Sequence, residues 1–231
     1  MDFVGIDKFS LLDYEEKVSC VLFCKPCNFR CPFCHNGTTV LEADTTIPFE
    51  DILDYLKSRV GLIDAVVISG GEPTLMPDLP DLKEKIIKIK ELGFSVKLDT
   101  NGTNPDVIKD LVESHLVDYV AMDIKNSLAM YPLTTGTKNP LLDKVQQSIK
   151  YLMISGVDYE FRTTLVNEFH NEKSIEEMGQ LIKGANKLYL QKFVERDSCI
   201  QKGLHEVSVE NAEKYQKILQ KSVKLVCLRG Y

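Results

Sequence analysis

Short apolar runs alternate along this chain with longer amphipathic stretches. Runs at 18–23, 65–69, 95–99, 119–124, 159–165 and 187–193 have the length and composition of buried strands, with a further candidate at 223–228. Between them, 49–59, 79–92, 106–114, 141–155, 175–183 and 209–221 carry apolar residues at helical spacing. In the second of these, Leu82, Ile86, Ile89 and Lys90 give one buried face, and Gly93 stands where a left-handed residue ends a helix.

Strand and helix alternate roughly every 30 residues, a rhythm of crossover connections and a parallel sheet. Doubly wound sheets and barrels share that rhythm. A complete eight-unit barrel takes ~250 residues. This chain of 231 holds about six such units, so an α/β fold with an incomplete, open-sided TIM-type barrel is expected. A single domain is expected over residues 1–231, with a core at about 18–194 and a C-terminal extension at 195–231.

The polar residues gather at the carboxyl ends of the runs, where parallel-sheet proteins build their sites. After the first come Cys27, Cys31 and Cys34, and after the second Gly70-Gly71-Glu72-Pro73-Thr74. The third is followed by Asp99-Thr100-Asn101-Gly102 and the fourth by Asp123-Ile124-Lys125, while Arg162 lies on the fifth strand. Four consecutive strands thus deliver polar or metal-binding groups to one rim.

Composition narrows the class. With 44% apolar and 27% charged residues the chain is an ordinary globular protein, and a net charge of -6 counts against a general nucleic-acid binder. No apolar run approaches the ~20 residues needed to cross a bilayer. Residues 1–10 lack a secretory pattern, so a cytoplasmic protein without membrane contact is expected. In that reducing compartment an odd set of seven cysteines, five of them between Cys20 and Cys34, points to metal rather than disulfides.

The spacing CxxxCxxC suits three thiolates that hold three irons of a [4Fe–4S] cubane and leave the fourth iron open. Two rivals bring in Cys24, which makes a second CxxC pair. A structural zinc site separates its pairs by ~12 to 20 residues, and only three intervene here. A four-cysteine electron carrier would have no use for the rim residues. Cys20, Cys199 and Cys227 read as small buried apolar residues, and His35, His115, His170 and His205 as surface or turn positions. Each rim residue also has a plain structural reading. Gly70-Gly71 could be only a turn, Asp99 only a cap for Asn101-Gly102, Lys125 a solvated side chain, and Arg162 a residue in need of a buried acid.

CxxxCxxC with an aromatic before its last cysteine, followed by GGEP, resembles the radical S-adenosylmethionine (SAM) superfamily. CNFRCPFCHN at 27–36, DTNG at 99–102, DIK at 123–125 and FRTT at 161–164 are similar to the glycyl-radical-enzyme activases. The segments VISGGEPT, KLDTNG, VDYVAMDIK and DYEFRTTLV are most similar to the activating proteins of anaerobic ribonucleoside-triphosphate reductase, over about residues 18–229. That resemblance implies a [4Fe–4S] cluster on Cys27, Cys31 and Cys34, with SAM chelating the open iron. It places Phe33 near the adenine, Gly70, Gly71 and Glu72 at the methionyl amine, Asp99 as a second amine partner, and Lys125 at the carboxylate. Arg162 would meet the carboxylate or ribose. Asp99 and Asp123 could also help to hold a monovalent cation.

The implied activity is reductive cleavage of SAM to a 5′-deoxyadenosyl radical, which removes a Cα hydrogen from a glycine of a partner glycyl-radical enzyme such as anaerobic ribonucleotide reductase. The reductant would be a flavodoxin or ferredoxin. An enzyme acting on a small metabolite would share all these residues. The stretch Leu190-Gln191-Lys192-Phe193 lacks a histidine that some activases carry there, and 195–205 follows no family pattern.

Overall fold

The computed structural model describes residues 2–37, 44–75 and 79–231. They form two compact units, described in turn. The first comprises Met1–Asn28, Thr38–Thr100 and Asp106–Val120, and the second Phe29–Gly37, Asn101–Pro105 and Ala121–Tyr231.

The first unit opens with β1 (Asp2–Ser10), a strand that the apolar pattern does not announce. Only Phe3 and Ser10 of it are buried, and Gly5, Asp7 and Lys8 interrupt any alternation. It pairs antiparallel with β2 (Ser19–Lys25), for example Ile6 with Leu22. Then β2, β3 (Ala65–Gly70) and β4 (Ser95–Thr100) run parallel, with Cys20 beside Val66 and Val66 beside Val96. Strands buried on both faces read as apolar runs, which is why β2 and β3 were visible in the sequence, whereas β4 keeps only Val96 and Leu98 apolar around Lys97.

Three helices cover these strands. α1 (Phe49–Lys57) buries Phe49, Ile52 and Leu56, and α2 (Leu79–Glu91) buries Leu82, Ile86 and Ile89. Lys90 sits at the margin of that face, its Nζ 2.8 Å from Asp118 Oδ1. Gly93 adopts φ +92° and donates its N–H to Lys90 O, the left-handed ending that the sequence predicts. α3 (Pro105–Glu113) leads towards β5 (Tyr119–Asp123), and the division between the units falls within β5.

In the second unit the short α4 (Tyr131–Thr135) and α5 (Leu142–Ile154) precede β6 (Asp158–Leu165). α6 (Glu172–Leu181), β7 (Lys187–Lys192), α7 (Val209–Leu219) and β8 (Leu225–Arg229) follow. β6, β7 and β8 are parallel neighbours, with Phe161 beside Leu188 and Leu188 beside Val226. α6 starts three residues earlier than its apolar periodicity suggests, because Asn171 and Ser174 form a capping box. The helix expected at 209–221 and the strand expected at 223–228 both form, as α7 and β8.

Candidate cofactor site

In the first unit the GGEPT turn is built against the run-in to Cys27. Gly71 N–H donates to Cys24 O at 2.8 Å and Glu72 N–H to Pro26 O at 2.9 Å. Gly70 holds φ +108°, and a Cβ there would collide with the Cys24 backbone nitrogen; a Cβ on Gly71 would meet the Pro26 carbonyl oxygen. The missing side chains therefore make room for residues 24–26 of the chain itself.

Glu72 is fully buried and anchors that turn. Its Oε1 accepts from Thr74 N–H at 3.1 Å, Thr74 Oγ1 at 2.5 Å and Thr100 Oγ1 at 2.7 Å. Asp99, on β4, accepts through Oδ2 from Ser69 Oγ at 2.9 Å on β3, and Lys97 Nζ stands 3.8 Å from its Oδ1. Lys97 is itself buried, bonded to the Asp13 carbonyl and lying over the Tyr14 and Tyr119 rings. Cys24 is completely buried and its thiol is pushed up to about 12 by burial, foremost, and by Glu72. It is a neutral thiol beside the loop. Cys20, equally buried, is likewise pushed up to about 12 by burial.

The second unit carries the other two cysteines of the motif. Cys34 N–H donates to Cys31 O at 3.0 Å, closing a turn that contains both. Phe33 between them is buried against Phe169 and Phe193, at ring-centroid distances of 6.1 and 6.5 Å. Burial raises the Cys34 thiol. Lys125 Nζ lies 5.9 Å from the centre of the Phe33 ring.

Lys125 is held from every side. Its Nζ donates to Asp123 Oδ2 at 2.8 Å, and Asp123 Oδ1 accepts from Arg162 Nε at 3.1 Å. Its N–H donates to Tyr131 Oη at 3.2 Å, and its carbonyl lies 3.1 Å from His170 Nε2. Burial alone would lift the Asp123 carboxyl, but Lys125 and Arg162 outweigh it and hold Asp123 at about 2. Burial would lower Lys125, yet Asp123 and the nearby Cys31 and Cys34 push it above its ordinary value.

Arg162 thus has the acid that its strand position requires, and both oxygens of Asp123 face cations. The Asn101 side chain, rather than Asp99, caps its own turn, accepting from Thr103 N–H and Oγ1.

Two members of this group escape sequence reasoning. His170 is buried rather than a surface or turn residue, with Nδ1 3.1 Å from Val166 N and its pKa lowered by burial. A neutral ring that donates from Nε2 and accepts at Nδ1 satisfies both contacts. No motif marks it, and Tyr131 lies in a helix too short for a periodic signal.

Three soft thiol donors at CxxxCxxC, with a cation beside two of them, are a donor set that fits an iron–sulfur cluster. Among the described residues, no three His, Cys, Asp or Glu side chains are gathered as a metal-binding group.

This chain belongs to the radical SAM superfamily, whose family model matches residues 21–182. Its members use a [4Fe–4S] cluster and SAM, so the chain is a radical SAM enzyme. A Methanocaldococcus jannaschii protein named "Putative glycyl-radical enzyme activating enzyme" is 36% identical over 204 residues, covering 84% of this chain and 80% of that one. A 7-carboxy-7-deazaguanine synthase of Thermococcus kodakarensis is 32% identical over 143 residues, 62% of this chain and 53% of its own length. Among solved structures, a radical SAM methyltransferase from Sphaerobacter thermophilus matches 93% of this chain and 67% of its own, with TM-score 0.72 and 15% identity. A domain of pyruvate-formate lyase-activating enzyme from Bacteroides vulgatus matches 72% of this chain and 99% of its own, with TM-score 0.58 and 16% identity. The parallel α/β fold expected from the sequence is the radical SAM fold.

Proposed function

We propose that this protein is a glycyl-radical-enzyme activase whose partner is an anaerobic ribonucleotide reductase. The observation that carries the activase reading is the 36% identity to the M. jannaschii relative over 84% of the chain, a likeness that runs well past the cluster motif; the reductase as partner rests on the resemblance of KLDTNG, VDYVAMDIK and DYEFRTTLV to its activating proteins. Cys27, Cys31 and Cys34 are the proposed cluster ligands. When bound, the cluster and SAM supply the one-electron chemistry that yields a 5′-deoxyadenosyl radical.

The chain's own part is to hold and orient. Gly70 and Gly71 present backbone groups to the methionyl amine, and Glu72 keeps that backbone in shape through Thr74 and Thr100. Asp99 supplies a carboxylate for the amine. Lys125 offers a cation to the methionyl carboxylate, Arg162 fixes Asp123 beneath it, and Phe33 gives the adenine an apolar wall. An electron from a flavodoxin or ferredoxin, and a cytoplasmic setting, complete the proposal. No helix among the described residues is long and apolar enough to cross a membrane.

The similarity to 7-carboxy-7-deazaguanine synthase over 62% of the chain favours a second reading, an enzyme acting on a small nucleoside-related ring. Anaerobic reconstitution with SAM and a strong reductant should release 5′-deoxyadenosine, and its absence from a protein with an intact cluster would overturn both readings. Addition of the candidate partner should then give the electron paramagnetic resonance doublet of a glycyl radical; no doublet, with turnover of a small molecule, would leave only the second. Cys31→Ala should abolish both signals.

A further inference from the structure

We infer that residues 194–201, which follow β7, form a clamp on the cysteine loop 29–37, with Cys199 a positioning residue for Cys34. This rests on the reading of Cys31 and Cys34 as cluster ligands. Four contacts of the clamp fall on both sides of Cys34. Gln201 N–H donates to Pro32 O at 2.8 Å, and the Cys199 thiol donates to Phe33 O at 3.9 Å. Beyond Cys34, His35 Nε2 is 2.8 Å from Val194 O, its ring stacked on Phe193 at 5.7 Å. At Gly37 a Cβ would stand 2.5 Å from the Ser198 carbonyl oxygen and 2.9 Å from Ile200 Cγ1, so only glycine lets the two segments meet this closely.

The clamp is itself fixed. Cys199 N–H donates to Arg196 O at 3.0 Å, Arg196 N–H donates to the Cys199 sulfur at 3.5 Å, and Lys202 Nζ closes on the Arg196 carbonyl. The Cys199 thiol is therefore buried with a donor on one side and an acceptor on the other, which is more than the apolar filler its sequence context suggests. A ligand loop held in this way loses less conformational freedom when it closes on a cluster. Polar partners beyond the ligands also orient them and tune the potential of the iron. The stretch that follows no family pattern would thus serve the most patterned one.

The test uses the full chain reconstituted without oxygen, and reads iron release to a chelator together with the cluster's midpoint potential. Cys199→Ala should speed iron release ~5-fold, the worth of one lost hydrogen bond. Cys199→Ser, whose hydroxyl can still donate to Phe33 O, should recover most of that. Gly37→Ala should speed release ~10-fold. Both Gly37→Ala and Cys199→Ala should also shift the potential. Release rates and potentials equal to those of the unaltered protein would overturn the clamp. If Gly37→Ala does not fold, His35→Phe keeps the stack on Phe193 and drops the bond to Val194; an unchanged release rate there would equally overturn it. A Cys31→Ala protein that keeps a full cluster would refute the ligand assignment itself, and the clamp with it.

Discussion

At the scale of the residue, the second unit concentrates its polar contacts on Lys125. Tyr131 and His170 grip its backbone, and Asp123 carries its ammonium together with Arg162. His170 gives this grip a pH dependence whose sign follows from its burial. The folded state keeps the ring neutral and its pKa below the ordinary value, whereas the unfolded chain takes up a proton near 6.5. The contribution is present above that pH and lost as pH falls below it. His170→Gln should therefore flatten the fall in melting temperature on acidification below ~6.5, measured by calorimetry. Asp123 acts lower on the scale. Its carboxyl, held at about 2, contributes stability that is fully present above ~3.9 and is lost between that value and about 2.

Elements in this protein are fixed by turns as much as by strands. The end of β3 can lie against residues 24–26 because two glycines remove the atoms that would collide, and Glu72 then ties the turn to Thr100 at the end of β4. A buried carboxylate oxygen with three donors is costly to delete, because the donors are left without a partner. Glu72→Ala should cost ~2–3 kcal/mol in urea unfolding, and Glu72→Gln, which keeps an acceptor oxygen, clearly less. Equal losses for the two would show that charge rather than hydrogen bonding matters there. The turn's two glycines were legible as a turn; that they accommodate the chain leading to Cys27 was not, since sequence carries no record of which backbone approaches them.

For the molecule as a whole, the C-terminal residues belong to the packing of the second unit. β8 pairs along β7, and α7 buries Ala212, Tyr215 and Leu219. A chain ending at Glu206 would leave β7, with the fully buried Leu188 and Leu190, as an exposed strand edge. It should be recovered mostly as insoluble protein or show a much earlier thermal transition by circular dichroism; an unchanged transition would show that the second unit does not depend on this stretch. The sequence by itself determined the strand and helix rhythm, the parallel architecture, the cysteine spacing and the family, because these are periodic or local features written into consecutive residues. It did not announce β1, whose exposed edge carries no apolar run, nor the early start of α6, which depends on a cap. Only the tertiary structure decided that Asp123 joins Lys125 to Arg162, that His170 is buried beneath Lys125, and that Cys199 sits on Phe33. Those are contacts between residues tens of positions apart or more, and burial and partner choice exist only once the chain has folded.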